Sequence, residues 1–185
     1  PDTLPGQNVK FILYGDVKLE NAATNPDDPF GPMQAFYFVS GLQPNCKEAP
    51  PSSLLIQSPK GYSVTMRANG LDLKVGSSLA LTAQKNGPMR LTTLEGEVFA
   101  TYGGKTQIIP QGFETVLELG GEDGLTPQGA PETAYLMDDE QWVALTEATA
   151  DITGESLELL DTDVWASIGD YCSDLANVDI CADPA

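Results

Sequence analysis

The sequence predicts a mainly β protein: an antiparallel β-sandwich or rolled barrel built from two similar hairpin units, with one or two short C-terminal helices. Three features carry that prediction. Apolar residues alternate, as in Val64/Met66/Ala68, Leu71/Leu73/Val75, Leu79/Leu81/Ala83 and Leu117/Leu119. A period of two buries one face of a strand and leaves the other in water. Tight-turn dipeptides, Asn69-Gly70, Asn86-Gly87 and Gly103-Gly104, break the run into short pieces, and such pairs tolerate positive φ at both centres of a hairpin turn. Finally, the order strand, two-residue turn, strand, Gly, strand occurs twice. Val64–Ala68, Asn69-Gly70, Leu71–Val75, Gly76 and Ser78–Thr82 form the first copy; Val98–Tyr102, Gly103-Gly104, Lys105–Ile109, Gly112 and Phe113–Leu119 form the second.

One hairpin cannot bury its own apolar face, so the sister units are expected to close against each other. Gly76 and Gly112 suit a bend or bulge before each third strand. Met89, Leu91, Leu94, Val98 and Ala100 thread a ribbon between the copies. The β-domain is expected over 1–125, followed by a Pro/Gly-rich connector and short helical segment over 126–185 that packs on it.

In chain order, Pro1–Gln7 reads as an extended arm and Asn8–Tyr14 as a strand. Gly15-Asp16 turns, and Val17–Leu19 is expected to pair back on that strand. Asn21–Pro32 is a loop rich in Asn, Asp, Pro and Gly. Its Asp27 and Asp28 are candidate Ca²⁺ ligands, although the loop lacks the acidic spacing and terminal Glu of an EF-hand, and an ordinary turn-rich loop is the simpler reading. Gln34–Val39 is an aromatic, β-prone run with Phe36 and Phe38 on one face and Tyr37 and Val39 on the other, which suggests a central strand or an edge covered by a partner. Gly41–Ser53 connects, and Leu54–Gln57 is a further strand. Ser58 and Lys60 flank Pro59 and read as a turn, since a Ser–Lys nucleophile pair needs a buried Lys for which nothing here argues. After Leu119 the stretch Gly120–Glu132 is linker-like and lacks the Lys of a phosphate loop. Asp138 or Asp139 caps a short helix reaching Leu145, with Trp142 and Leu145 as its apolar stripe. A second helix is expected from about Asp163 to Leu175, with Trp165, Ile168, Cys172 and Leu175 on one face.

Leu91-Thr92-Thr93-Leu94-Glu95-Gly96-Glu97-Val98-Phe99, a Gly turn, Ile108-Ile109-Pro110-Gln111-Gly112 and a closing strand together resemble the FecR-like domain. The motif match covers about Ser78–Leu119, and the FecR-like part is placed at about 54–119. The wider run from Pro50 resembles secreted bacterial proteins that carry this domain. The resemblance implies an extracytoplasmic β-domain that binds or transmits and does not catalyse. Signalling members place a cytoplasmic helical segment and a membrane span before the domain. Neither stands in these 185 residues, so iron signalling and ligand residues are not carried over.

Composition narrows the function classes. The formal charge is −18, with nine basic residues. Nucleic acid and anionic membranes would be repelled where counterion release or attraction is required. No apolar run approaches the ~20 residues of a membrane-spanning helix. The sequence contains no His, which removes the usual neutral-pH base and the commonest metal ligand, and with them the ordinary Ser–His and Cys–His enzymes and zinc hydrolases. No cofactor is expected beyond the Ca²⁺ candidate. Cys46, Cys172 and Cys181 allow one disulfide and one leftover thiol. Cys172–Cys181 is the favoured pair because the intervening chain is short, with Cys46 as the alternative partner of either; such a loop contributes about 2–3 kcal/mol. The chain starts at Pro1, as expected after removal of a signal peptide or from a start within a longer sequence, and the expected location is extracellular or the cell envelope.

Three functions remain. The first is a secreted, non-enzymatic β-domain with a structural or surface-interaction role, a subunit of an extracellular assembly or filament whose partners are proteins or copies of itself. The second is an extracytoplasmic ligand- or protein-binding sensing module of FecR-like type. The third is a glycan hydrolase using paired carboxylates, for which the sequence shows no fixed pairing.

Overall fold

The computed structural model describes residues 9–23, 29–41, 51–59 and 61–154. In chain order these form β1 (Lys10–Tyr14), β2 (Val17–Asn21), β3 (Ala35–Ser40), β4 (Ser53–Gln57), β5 (Val64–Ala68), β6 (Leu71–Val75), β7 (Ser78–Ala83), β8 (Pro88–Glu95), β9 (Glu97–Tyr102), β10 (Lys105–Pro110), β11 (Phe113–Gly120), β12 (Thr126–Pro127), β13 (Tyr135–Leu136) and α1 (Asp139–Thr153). Two sheets pack as a sandwich. One has seven strands, ordered β1-β4-β7-β8-β11-β12 with β13 also on β11; the other has six, ordered β10-β9-β6-β5-β3-β2. Neither closes into a barrel.

The sandwich and the repeat are as expected, but the sister units do not face each other. Hairpins β5–β6 and β9–β10 lie side by side in the six-stranded sheet, joined by the antiparallel pair β6–β9. Their third strands, β7 and β11, flank β8 in the other sheet. Each unit therefore spans both layers. The glycines explain the crossing. Gly76 ends β6 against the start of β9, where its N–H donates to Glu97 O at 3.0 Å and an added Cβ would lie 2.9 Å from that oxygen. Gly96, between β8 and β9, has φ +73°, and an added Cβ would lie 2.9 Å from Ser77 Cβ.

The interior is the product of strand alternation. Leu54, Ile56, Leu79, Leu81, Met89, Leu91 and Leu117 of one sheet meet Phe36, Phe38, Met66, Leu71, Leu73, Val98 and Ile109 of the other, all buried. Burying each large side chain contributes about 1.5–3 kcal/mol. On the opposite face of the seven-stranded sheet, Leu55, Ala80 and Leu94 form a second cluster with Met137 and Trp142, and Ile12 and Leu145 pack against it. That cluster seats α1.

One expected pairing fails here. Val17–Leu19 does not pair back on β1. The turn at Gly15, with φ +76°, and the hydrogen bond from Asp16 N to Ser52 Oγ (3.0 Å) carry the chain into the other sheet, where β2 pairs with β3. β3 is a central strand, as expected, flanked by β5 and β2, although Tyr37 on its outer face is 42% exposed while Phe36 and Phe38 are buried. The six-stranded sheet is mixed: β3 runs parallel to β5. Asp138 does cap α1, accepting from Gln141 N at 2.9 Å, but the helix passes Leu145 and runs to Thr153 before Gly154 ends it in the left-handed conformation. The helix expected near Asp163–Leu175 lies outside the described residues.

Candidate functional site

A cleft of about 1110 Å³ opens between α1 and the outer face of the seven-stranded sheet. The register decides what lines it. In β8 the residues alternate with Met89, Leu91 and Thr93 buried in the sandwich, so Arg90 and Thr92 point outward. Thr92 of β8 sits opposite Glu114 of β11, and Glu114 is in turn opposite Tyr135 of β13. Arg90, Thr92, Glu114 and Tyr135 thereby meet on the cleft wall.

Their hydrogen bonds form a closed set. Arg90 Nη1 donates to Glu114 Oε1 at 2.9 Å, Tyr135 Oη donates to the same oxygen at 2.5 Å, and Thr92 Oγ1 donates to Oε2 at 2.8 Å. The Glu114 side chain is 10% exposed and that of Arg90 46%, so the carboxylate is the buried member. The Tyr135 phenol is pushed up to about 12, by burial first and then by the hydrogen bond and charge of Glu114. Burial works against the Arg90 cation, but Glu114 outweighs it and raises the guanidinium above its usual range. Tyr135 is thus held as a donor and Arg90 as a cation. A buried carboxylate that accepts from three donors is held rigidly in place.

The rest of the cleft is mixed. Tyr14, Ala80, Leu136, Met137, Leu145 and Ile152 supply apolar wall, whereas Asp138, Glu147 and Asp151 make the α1 side acidic. Asp138 is already engaged as the helix cap. Among the described residues, no group of three or more Asp, Glu, Cys or His side chains is placed to hold a metal ion.

The lateral edges differ in protection. Lys18 and Glu20 pair at 2.9 Å on β2. β10 carries Lys105 and ends at Pro110, and β12 is two residues long and contains Pro127. Charge, proline and shortness all discourage further strand pairing. β1, with sequence Lys-Phe-Ile-Leu-Tyr, has only Lys10 as a charged residue, pairs with β4 alone among the named strands, and leaves Leu13 46% exposed.

The sequence-predicted site residues Cys46, Cys172 and Cys181, and the Ca²⁺ candidates Asp27 and Asp28, lie outside the described residues, as does Lys60. Ser58 is described, and its buried hydroxyl has no hydrogen-bond partner among the described residues. Arg90, Glu114 and Tyr135 are not among the residues the sequence predicts for a site. The available signal was Glu114 at an outward position of β11, diagonal to Arg90, one of only two arginines in the chain. Comparison with protein-family models, curated proteins and solved structures finds no match to this chain.

Proposed function

We propose that the protein is a non-enzymatic, extracytoplasmic β-sandwich with a structural or surface-interaction role, a subunit of an assembly of protein chains. The observation that carries this reading is the edge strand β1, the most apolar of the four sheet edges, which among the described residues pairs with β4 alone. A sequence without His and a cleft whose buried carboxylate is consumed by Arg90, Tyr135 and Thr92 support the non-enzymatic part. Sedimentation velocity over a wide concentration range, with and without reductant and Ca²⁺, tests it. Association under at least one condition is expected; a strict monomer under all of them counts against an assembly subunit.

A second reading, an extracytoplasmic sensing module of FecR-like type, is favoured by the cleft under α1, whose size and mixed apolar and acidic walls suit a ligand or a protein segment. It expects a monomer whose ligand is lost when the cleft wall is changed, for example by Leu136→Asp. Glycan hydrolysis has the least support, because Glu114 and Asp138 are both committed to hydrogen bonds within the fold.

A further inference from the structure

We propose that the cleft between α1 and the seven-stranded sheet receives a basic peptide segment of a partner protein, with a Lys or Arg side chain of that segment held by Glu147 and Asp151. The inference rests on the reading of the protein as a binding module and names the chemistry of its ligand. Small side chains make the room. Ser53 of β4 and Ala80 and Thr82 of β7 line the sheet side, and Ala144 and Ala148, one turn apart on α1, line the other.

Charge decides the class of occupant. Glu147 and Asp151 stand one turn apart on the cleft side of α1, both exposed. Neither makes an ion pair among the described residues. Asp151 falls in the last turn of the helix, which contains no basic residue. A helix ends in partial negative charge, so a carboxylate there is unfavourable and a cation is stabilising. Arg90, on the opposite wall, is already bonded to Glu114. The two carboxylates and the helix end therefore converge with no cation among the described residues to offset them.

Size and polarity point to a peptide. Sites for drug-sized ligands run to about 1,000 Å³, and this cleft holds about 1110 Å³. The hydroxyls of Ser53 and Thr82 and the carboxamide of Gln141 line it without a hydrogen bond among the described residues. They offer donors and acceptors to the N–H and C=O groups of a backbone. The same charges argue against an occupant from this chain. Residues 155–185 are rich in Asp and Glu and contain no Lys or Arg, and a second copy brings a formal charge of −18. An acidic wall repels both.

The test pans a library of random peptides on the full chain and follows the enriched sequences, made synthetically, by calorimetry and amide hydrogen exchange. The expected peptides carry a surplus of Lys or Arg, protect amides in α1 and β13, and bind more weakly as salt rises. Glu147→Gln with Asp151→Asn is expected to weaken them by about tenfold or more and to flatten the salt dependence. Thermal unfolding of that variant should stay level or move up, because two carboxylates leave the C-terminal half of the helix. Glu97→Gln with Glu122→Gln removes the same charge from exposed positions outside the cleft and is expected to leave binding within about twofold. The proposal is overturned if the enriched peptides lack a basic surplus. It is also overturned if the two pairs of substitutions weaken binding equally, which would mean general attraction to an acidic surface. Protection of α1 and β13 in either case leaves the binding-module reading standing. A library that yields no binder, or binders that leave α1 and β13 unprotected, removes both.

Discussion

The Asn69 side chain stands in for a peptide group opposite Phe38. Its Nδ2 donates to Phe38 O at 2.8 Å, and its Oδ1 accepts from Phe38 N at 2.8 Å. The backbone pairing of β3 with the parallel β5 covers only Ala35–Arg67 and Phe36–Ala68, so the carboxamide prolongs a ladder that the chain abandons at the Asn69-Gly70 turn. Asn69 also holds φ +49°, which its short polar side chain tolerates. Asn69→Ala leaves both Phe38 groups buried and unpaired and adds left-handed strain; a loss of about 2–4 kcal/mol is expected in urea unfolding. Asn69→Gly relieves the strain and keeps the unpaired groups, so it should recover about 1 kcal/mol of that loss.

The Arg90–Glu114 pair gives a different pattern. Arg90→Ala strands a largely buried carboxylate and is expected to cost about 2 kcal/mol, less than a fully buried pair because the guanidinium is half in water. Replacing both, Arg90→Met with Glu114→Leu, removes the charge with its partner and should restore most of the stability. A thermodynamic cycle over the single and double variants measures the coupling.

Tyr135 links the cleft to pH. Its folded pKa, about 12, lies above the unfolded value of about 10. The folded chain therefore holds the phenolic proton more tightly, and the stabilisation is complete below pH ~10 and lost as pH rises toward 12. Absorbance titration of phenolate should find one tyrosine ionising late, and Tyr135→Phe should abolish that late step and flatten the alkaline fall in stability.

At the Gly96 crossing, Gly96→Ala meets both a positive φ and a close neighbour, Ser77 Cβ at 2.9 Å. A loss of about 2–3 kcal/mol is expected in thermal or urea unfolding. Adding Ser77→Gly removes the collision and not the dihedral cost, so only part of the loss should return.

Asp138→Ala removes the cap from α1 and should cost about 1 kcal/mol. Hydrogen exchange should show the first turn of the helix opening sooner while the strands keep their protection.

What was legible in the sequence was local. Alternation in Leu71–Val75 and the Asn69-Gly70 and Gly103-Gly104 turns gave the hairpins because both signals lie within a few residues. The destination of Val17–Asn21 was not legible, since it depends on Ser52, 36 residues from Asp16. Asn69 read as a turn residue, but its bonds to Phe38 bridge 31 positions. The cleft wall was invisible for the same reason, with Arg90, Glu114 and Tyr135 brought together only by register. The apolar stripe of α1 stopped at Leu145, whereas the helix continues to Thr153 with Thr146 and Thr149 buried and their hydroxyls bonded back to Trp142 O and Leu145 O. Such bonds satisfy side chains that otherwise disfavour helix interiors.

The changes of layer at Gly76, Gly96 and Gly112 also set the order in which the molecule can be assembled in time. Strands of the two layers alternate along the chain, so a nascent polypeptide that has released everything up to Glu95 still lacks β9 and β10 from one layer and β11 from the other. Neither layer is finished early enough to template its mate. Completion of both layers depends on strands as late as Phe113–Gly120, a distant-contact topology of the kind that folds slowly.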